Sequence, residues 1–341
     1  MPGADMGIDL GTSNTLIYLS GKGLVLNEPS VVAVNREEER VVAMGTEAQK
    51  MIGRTSDRVE VICPLSGGVI SDYDYTEQMV MAYIKKVSNN AVFNPRIVLC
   101  APGEITEIER RALLDAAHAA GARKICLLEE PIAAAIGAGL DIAGPHGCAV
   151  VDIGGGTTDM AVMTLGGTAV ARSIKTAGKA FDEEIIRYVR HKYNIIIGSR
   201  MAEQAKLKIG CVILPEEEQK FRVKGRDALA GLPRGVDFTS TDMMEALLPA
   251  AMTIVKNIQR LLEDTPPELI GDLYEDGIVL TGGGALIEGL DRLVSEQTNL
   301  RVRVAEDPLT CVARGAGKAL YYLDHLREPL SRSLNPLTEE E

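Results

Sequence analysis

VVDIGGGTTDMAVM, residues Val150 to Met163, decides the fold. An apolar run, a turn of three glycines and a second apolar run read as a strand, a tight turn and a returning strand. Asp152 stands at the mouth of the turn. MGIDLGTSNTLIYL, Met6 to Leu19, carries the same pattern of Asp-x-Gly-x-x-x-Thr, with Asp9, Gly11 and Thr15 in the places of Asp152, Gly154 and Thr158.

Each hairpin is followed by the same parts in the same order. IVLCAPG (Ile97 to Gly103), a helix and LLEEPIAAAIGAG (Leu127 to Gly139) follow the first; IVLTGGG (Ile278 to Gly284), a helix and VAEDPLTCVARGAG (Val304 to Gly317) follow the second. Three matched segments in one order indicate an internal duplication. The expected fold is therefore α/β, with two similar lobes and a cleft between them.

The helices have their own punctuation. Thr106 and Glu109 are placed as a capping box that opens TEIERRALLDAAHAAG, and Gly121 stands where that helix should end. Leu247, Leu248, Ala251, Ile254, Val255, Ile258, Leu261 and Leu262 recur at helical spacing up to Pro266. Pro249 is expected to kink that helix or mark its first turn. Two charged stretches, roughly residues 30–68 and 181–241, interrupt the repeated parts and read as small subdomains on the two lobes. The expected division is a first core of 1–29, 69–141 and 310–326, a second core of 142–180 and 242–309, these two insertions, and a polar tail at 327–341.

Composition sets limits. Against 36 Lys and Arg there are 48 Asp and Glu, a net charge of −12, which argues against a protein that wraps nucleic acid. The six cysteines form no CxxC pair and sit mostly in apolar runs, as buried thiols do in a reducing compartment. No leader is apparent and no apolar run reaches the ~18–20 residues of a membrane span, so a cytoplasmic protein is expected.

Glycine-tipped turns admit positive φ and let backbone N–H groups approach an anion closely. The candidate phosphate-binding groups are Gly11, Thr12, Ser13 and Asn14 in the first turn and Gly154, Gly155, Gly156 and Thr157 in the second. Asp9 and Asp152 are placed to carry Mg²⁺, which keeps several of its waters and needs few protein ligands. A single Asp-x-Gly would more simply be a hairpin whose Asp caps its own backbone; two copies plus TGGGA, Thr281 to Ala285, favour a polyphosphate. Glu130, just before Pro131, leaves two roles open. It can stabilise the helix dipole, as Glu129 equally could, or hold a water for in-line attack on a terminal phosphate.

GIDLGTSNTLIYLSGKGLVLNEPSVVAV, EEPIAAAIGAG, VVDIGGGTTDMAV, GRDALAGLP, EDTPPEL and IVLTGGGALIEGLDRLVSEQT together resemble the MreB/Mbl family of bacterial actins, from Gly7 to about Leu320. The resemblance implies an actin-like ATPase fold that binds ATP or ADP with Mg²⁺ and turns over slowly. It also implies paired protofilaments of the chain itself, at the inner face of the cytoplasmic membrane, with membrane-protein adaptors of cell-wall elongation as partners. By position, Thr12 to Asn14 and Gly154 to Gly156 look like the two phosphate loops. Gly282, Gly283, Gly284 and Ala285 look like the loop under the adenosine, and Glu130 like the glutamate that orients the attacking water. Glu203 and Lys206 resemble residues that touch the nucleoside, although on the residues alone they are a solvated i,i+3 charge pair.

Val92 and Phe93, in SNNAVFNP, resemble the family's apolar membrane loop; on the residues alone they are a packing plug. MPGAD is too short and polar for an amino-terminal amphipathic helix. Lys179 stands where an acid is common in the family, and Asp159 where Glu is frequent in MreB. Both lean toward the Mbl branch without deciding it. Three functions of other kinds compete: a sugar-kinase-like phosphotransferase, for which no acceptor signature is seen, a plasmid-segregation actin, and a chaperone ATPase, which would need a peptide-binding domain beyond the second lobe.

Overall fold

The computed structural model describes residues 5–88, 94–101, 106–322 and 335–336. Two large sheets share one plan. In the first, the strands lie in the order Lys124–Glu129, Arg96–Ala101, Met6–Leu10, Asn14–Leu19, Gly23–Pro29, with the short Asn335–Pro336 added beyond Lys124–Glu129. In the second, the order is Val302–Val304, Ile278–Thr281, Cys148–Ile153, Thr158–Thr164, Gly167–Ile174. Leaving aside Asn335–Pro336, the first three strands of each sheet are parallel and the last two pairings antiparallel. The register matches as well, since Asp9 lies opposite Cys100 and Asp152 opposite Thr281. The duplication read from the sequence is thus a duplication of topology.

Cys148–Ile153 is buried at every residue because both faces of its sheet are covered, which is why it reads as an unbroken apolar run. The capping box at Thr106 is formed: its hydroxyl accepts from the Glu109 N–H at 3.2 Å, and the Glu109 carboxylate accepts from the Thr106 N–H at 2.8 Å. The long helix differs from expectation. It begins at Ser240, upstream of the apolar run, behind a second capping box made by Thr239 and Asp242, and Pro249 lies inside it. A proline inside a helix costs about 3 kcal/mol. The stripe that includes Met243, Leu247, Ile254, Val255 and Ile258, all buried, outweighs that at roughly 1.5–3 kcal/mol per large side chain.

After the third strand of each lobe the chain leaves to build a small sheet. One is Arg40–Met44, Val32–Asn35 and Val59–Ile62 with the helix Gly45–Met51. The other is Ile195–Ile196, Lys220–Asp227 and Pro233–Thr239 with the helices Gly178–Tyr193 and Ser199–Ile209.

Two helices that the repeat makes equivalent, Glu130–Ala138 and Cys311–Tyr322, join the lobes by exchange. The first follows a strand of the first sheet yet packs on Cys148–Ile153 and Thr158–Thr164; the second follows a strand of the second sheet yet packs on Met6–Leu10 and Arg96–Ala101. One apolar cluster therefore contains Val98 and Leu128 from one lobe, Val150 and Ala161 from the other, and Ile132 and Ala316 from the crossing helices. Of the six thiols, all free, five are buried and Cys63 is half-buried. Among the described residues no helix is long and apolar enough to cross a membrane.

Candidate functional site

The tips of the two glycine hairpins touch. A Cβ placed on Gly155 would lie 2.0 Å from Ser13 Oγ and 2.7 Å from Ser13 Cβ, and one on Gly156 would lie 2.5 Å from Thr12 Oγ1. The reason for glycine differs from the sequence expectation: Gly11, Gly154, Gly155 and Gly156 all have ordinary negative-side backbone rather than positive φ. Gly155 and Gly156 leave room for the Ser13 and Thr12 side chains of the opposite lobe, while a Cβ on Gly11 would meet Asn14 O of its own hairpin at 2.7 Å. Gly155→Ala is accordingly expected to push the hairpins apart and weaken nucleotide binding by about a hundredfold, the scale of a 1 Å misplacement; isothermal titration with ATP in Mg²⁺ checks it.

Both turns are tied from behind. Ser30 Oγ donates to Gly11 O at 2.6 Å and the Ser30 N–H to Ser13 O at 2.9 Å. In the other lobe the N–H groups of Gly178 and Lys179, at the start of a helix, donate to the carbonyls of Gly154 and Gly155 at 3.0 and 2.8 Å. With carbonyls held this way, the N–H groups of Ser13, Gly155 and Gly156 have no acceptor among the described residues. Such groups suit an anion. They border a cleft of about 1040 Å³, which Thr12, Asn14, Gly154 and Thr157 also line.

Acids crowd the cleft floor. Asp9 is pushed up to about 8, by burial first and then by the charge of Asp152. Asp152 is pushed up to about 7 by burial, and Asp159 raises it further while a hydrogen bond from Thr281 opposes the rise. Burial, followed by Asp159, Asp9 and Asp152, lifts Glu130 well above the usual carboxylate range. Clustered carboxylates of this kind suit a cation. Among the described residues no three His, Cys, Asp or Glu side chains are grouped to hold a metal alone.

The repeat places a different environment around the residue equivalent to Glu130. That counterpart, Asp307, precedes a short 3-10 turn and accepts a hydrogen bond from Thr310 Oγ1 at 2.6 Å, whereas Glu130 is buried in the cleft. Lys206 and Glu203 both line the cleft, but not as a solvated pair: Lys206 Nζ donates to Gly178 O at 2.7 Å and is paired with Asp182 at 2.8 Å. Helix-to-helix packing overrides the i,i+3 spacing. Gly282, Gly283 and Gly284 line the cleft, with Gly282 at φ +78° and Gly284 pressed on Ile153; Ala285 is buried in the core of the second lobe and does not. Lys179 lines the cleft as well. Val92 and Phe93 lie outside the described residues.

Three participants escaped the sequence reading. Thr281 Oγ1 donates to Asp152 Oδ1 at 2.6 Å; its place at the head of TGGGA was the available signal. Asp182 partners Lys206 from another helix, which no local pattern announces. The Gly68 N–H donates to Thr12 Oγ1 at 3.3 Å, bringing a third backbone segment to the first turn.

Known proteins match this arrangement over nearly the whole chain. The profile of the MreB/Mbl protein family covers residues 3–328. The cell shape-determining protein MreB of Escherichia coli (strain K12) is 48% identical over 326 residues, 94% of each chain. The cell shape-determining protein Mbl of Bacillus subtilis (strain 168) is 45% identical over 323 residues, 94% of this chain and 97% of its own. Among solved structures, MreB5 of Spiroplasma citri bound to ADP superposes with a TM-score of 0.90 at 38% identity, covering 94% of this chain and 98% of its own. A MamK double helical filament, 23% identical with a TM-score of 0.78, covering 94% of this chain and 99% of its own, shares the fold. With its two matched lobes, crossed helices and opposed glycine turns, this chain has the actin-like ATPase fold and belongs to the MreB/Mbl family.

Proposed function

We propose that the protein is an ATP-hydrolysing bacterial actin that assembles into filaments at the inner face of the cytoplasmic membrane and organises cell-wall synthesis. The observation that carries the nucleotide reading is the contact of Ser13 with Gly155 and of Thr12 with Gly156 above the acid cluster. The name cell shape-determining protein borne by relatives, and the ADP and AMPPNP bound by MreB5, support it.

The N–H groups of Ser13 on one wall and of Gly155 and Gly156 on the other grip the phosphates, fixing them against rotation, with Thr12, Asn14, Gly154 and Thr157 lining the same two turns. Asp9 and Asp152 would hold a hydrated Mg²⁺, which would supply charge neutralisation at the phosphate oxygens. Glu130 accepts a hydrogen bond from a water and keeps it in line with the terminal phosphorus, so that catalysis rests on positioning. Glu203, Lys206 and Gly282 to Gly284 take the nucleoside side. The two lobes comprise a first core of 1–29, 69–141 and 310–326 and a second of 142–180 and 242–309, with the insertions 30–68 and 181–241 at their rims.

High-speed sedimentation with electron microscopy tests the assembly. Mg-ATP is expected to drive the protein into the pellet as filaments; a soluble monomer that phosphorylates a small acceptor would contradict the proposal. For the membrane, Val92 and Phe93 together offer roughly 3–6 kcal/mol of burial before ordering costs, too little for a monomer and ample for a polymer through avidity. Phe93→Ser is expected to abolish co-sedimentation of polymers with liposomes, and unchanged co-sedimentation removes this loop from the proposal.

A further inference from the structure

The two cleft acids occupy equivalent positions in the duplicated sheets but differ in what stands beside them. On the neighbouring parallel strand Asp152 faces Thr281 and Asp9 faces Cys100. The Thr281 side chain is fully buried and its hydroxyl donates to Asp152 Oδ1 at 2.6 Å. No hydrogen bond from a described residue reaches the Asp9 carboxylate, and the nearest recorded acceptor of the Cys100 thiol is Val312 O at 4.0 Å. A thiol is a weak donor, and a hydroxyl bond to a carboxylate is short and strong. Asp152 is therefore held in one orientation while Asp9 is left to adjust.

We propose that Thr281 is a positioning residue for the cation site: by occupying one oxygen of Asp152 it presents the other to the cleft in a set direction and makes Asp152 the acid that orients the hydrated magnesium. This rests on the magnesium-nucleotide reading above. Groups that orient a metal-binding carboxylate typically change metal affinity by about ten- to a hundredfold when removed. Thr281 also borders Gly282, whose positive φ and close approach to Ile153 O fix the strand end that carries the hydroxyl, so the donor is set by backbone that cannot easily move.

The test is equilibrium binding of a fluorescent ATP analogue to the full chain, titrated with Mg²⁺ and repeated in EDTA, for the wild type, Thr281→Val and Thr281→Ser. Thr281→Val is expected to raise the Mg²⁺ concentration at half-saturation about tenfold or more, while its affinity in EDTA stays within about twofold of the wild type and Thr281→Ser restores the Mg²⁺ response. Equal half-saturation in all three overturns the proposal. So does a loss in EDTA as large as the loss in Mg²⁺, which would assign Thr281 to the strand rather than the ion. Should valine prevent folding, Thr281→Cys copies the pairing beside Asp9 and is expected to shift the Mg²⁺ response in the same direction; no shift overturns the proposal. A wild-type curve indifferent to Mg²⁺ refutes the magnesium-nucleotide reading itself, a result distinct from any difference among variants, and the proposal falls with it.

Discussion

Alanine at position 315 is expected to destabilise the protein by about 3 kcal/mol or more, at or beyond the upper end of ordinary overpacking. A Cβ there would lie 1.8 Å from Ala133 O and 2.9 Å from Gly137 N. The contact is reciprocal, because a Cβ on Gly137 would lie 1.8 Å from Cys311 O. Both obstacles are backbone of the facing helix, so no rotamer change relieves them. Helices Glu130–Ala138 and Cys311–Tyr322 would have to separate, opening the cluster they share with both sheets. Urea denaturation measures the effect, and Gly271→Ala is the control. Gly271 lies inside the helix Pro267–Asp276 with open space where its Cβ would go, so alanine there should stabilise by roughly 0.5–1 kcal/mol. Equal behaviour of the two variants would mean that the crossing is looser than the structure shows.

Glu130→Ala is expected to slow phosphate release by roughly a hundredfold or more, the usual scale for a group that prepares a nucleophile, with ATP affinity nearly unchanged. Stability provides the discriminating sign. If Glu130 only complemented its helix dipole, its removal would cost about 0.3–1 kcal/mol. Buried among Asp159, Asp9 and Asp152, however, it is an unfavourable neighbour in the nucleotide-free protein, so Glu130→Gln, which keeps the volume, should melt at the same temperature or higher. Malachite-green phosphate assays and thermal melts of both variants decide it. Loss of nucleotide binding together with stability would return Glu130 to a structural role.

Much of the molecule was legible because the chain says it twice. The pattern shared by Asp9 to Thr15 and Asp152 to Thr158 located both hairpins, and the matched IVLC and IVLT segments located one further strand in each half, whose parallel pairing and register come from the structure alone. Local rules also served where the chemistry is local, as at the Thr106 capping box. They failed where a distant segment decides. The helix from Ser240 starts early because Thr239 and Asp242 cap it and a buried stripe tolerates Pro249. Lys206 leaves Glu203 for Asp182, a partner on another helix. The glycines of IGAG and RGAG were visible as a repeat, but that Gly137 and Gly315 are needed by each other follows only from the exchange of helices between lobes. Ala285, grouped with its glycine neighbours by sequence, turns into the core because the short helix Gly283–Leu286 rotates successive residues to different sides.

A crystal structure with Mg-AMPPNP bound bears on all of this at once. The expected result is phosphate oxygens within about 2.7–3.2 Å of N–H groups from both hairpins, that of Ser13 on one side and those of Gly155 and Gly156 on the other, with the ion beside Asp9 and Asp152. Phosphates gripped by one hairpin alone, or no nucleotide in the cleft at saturating concentration, would contradict it.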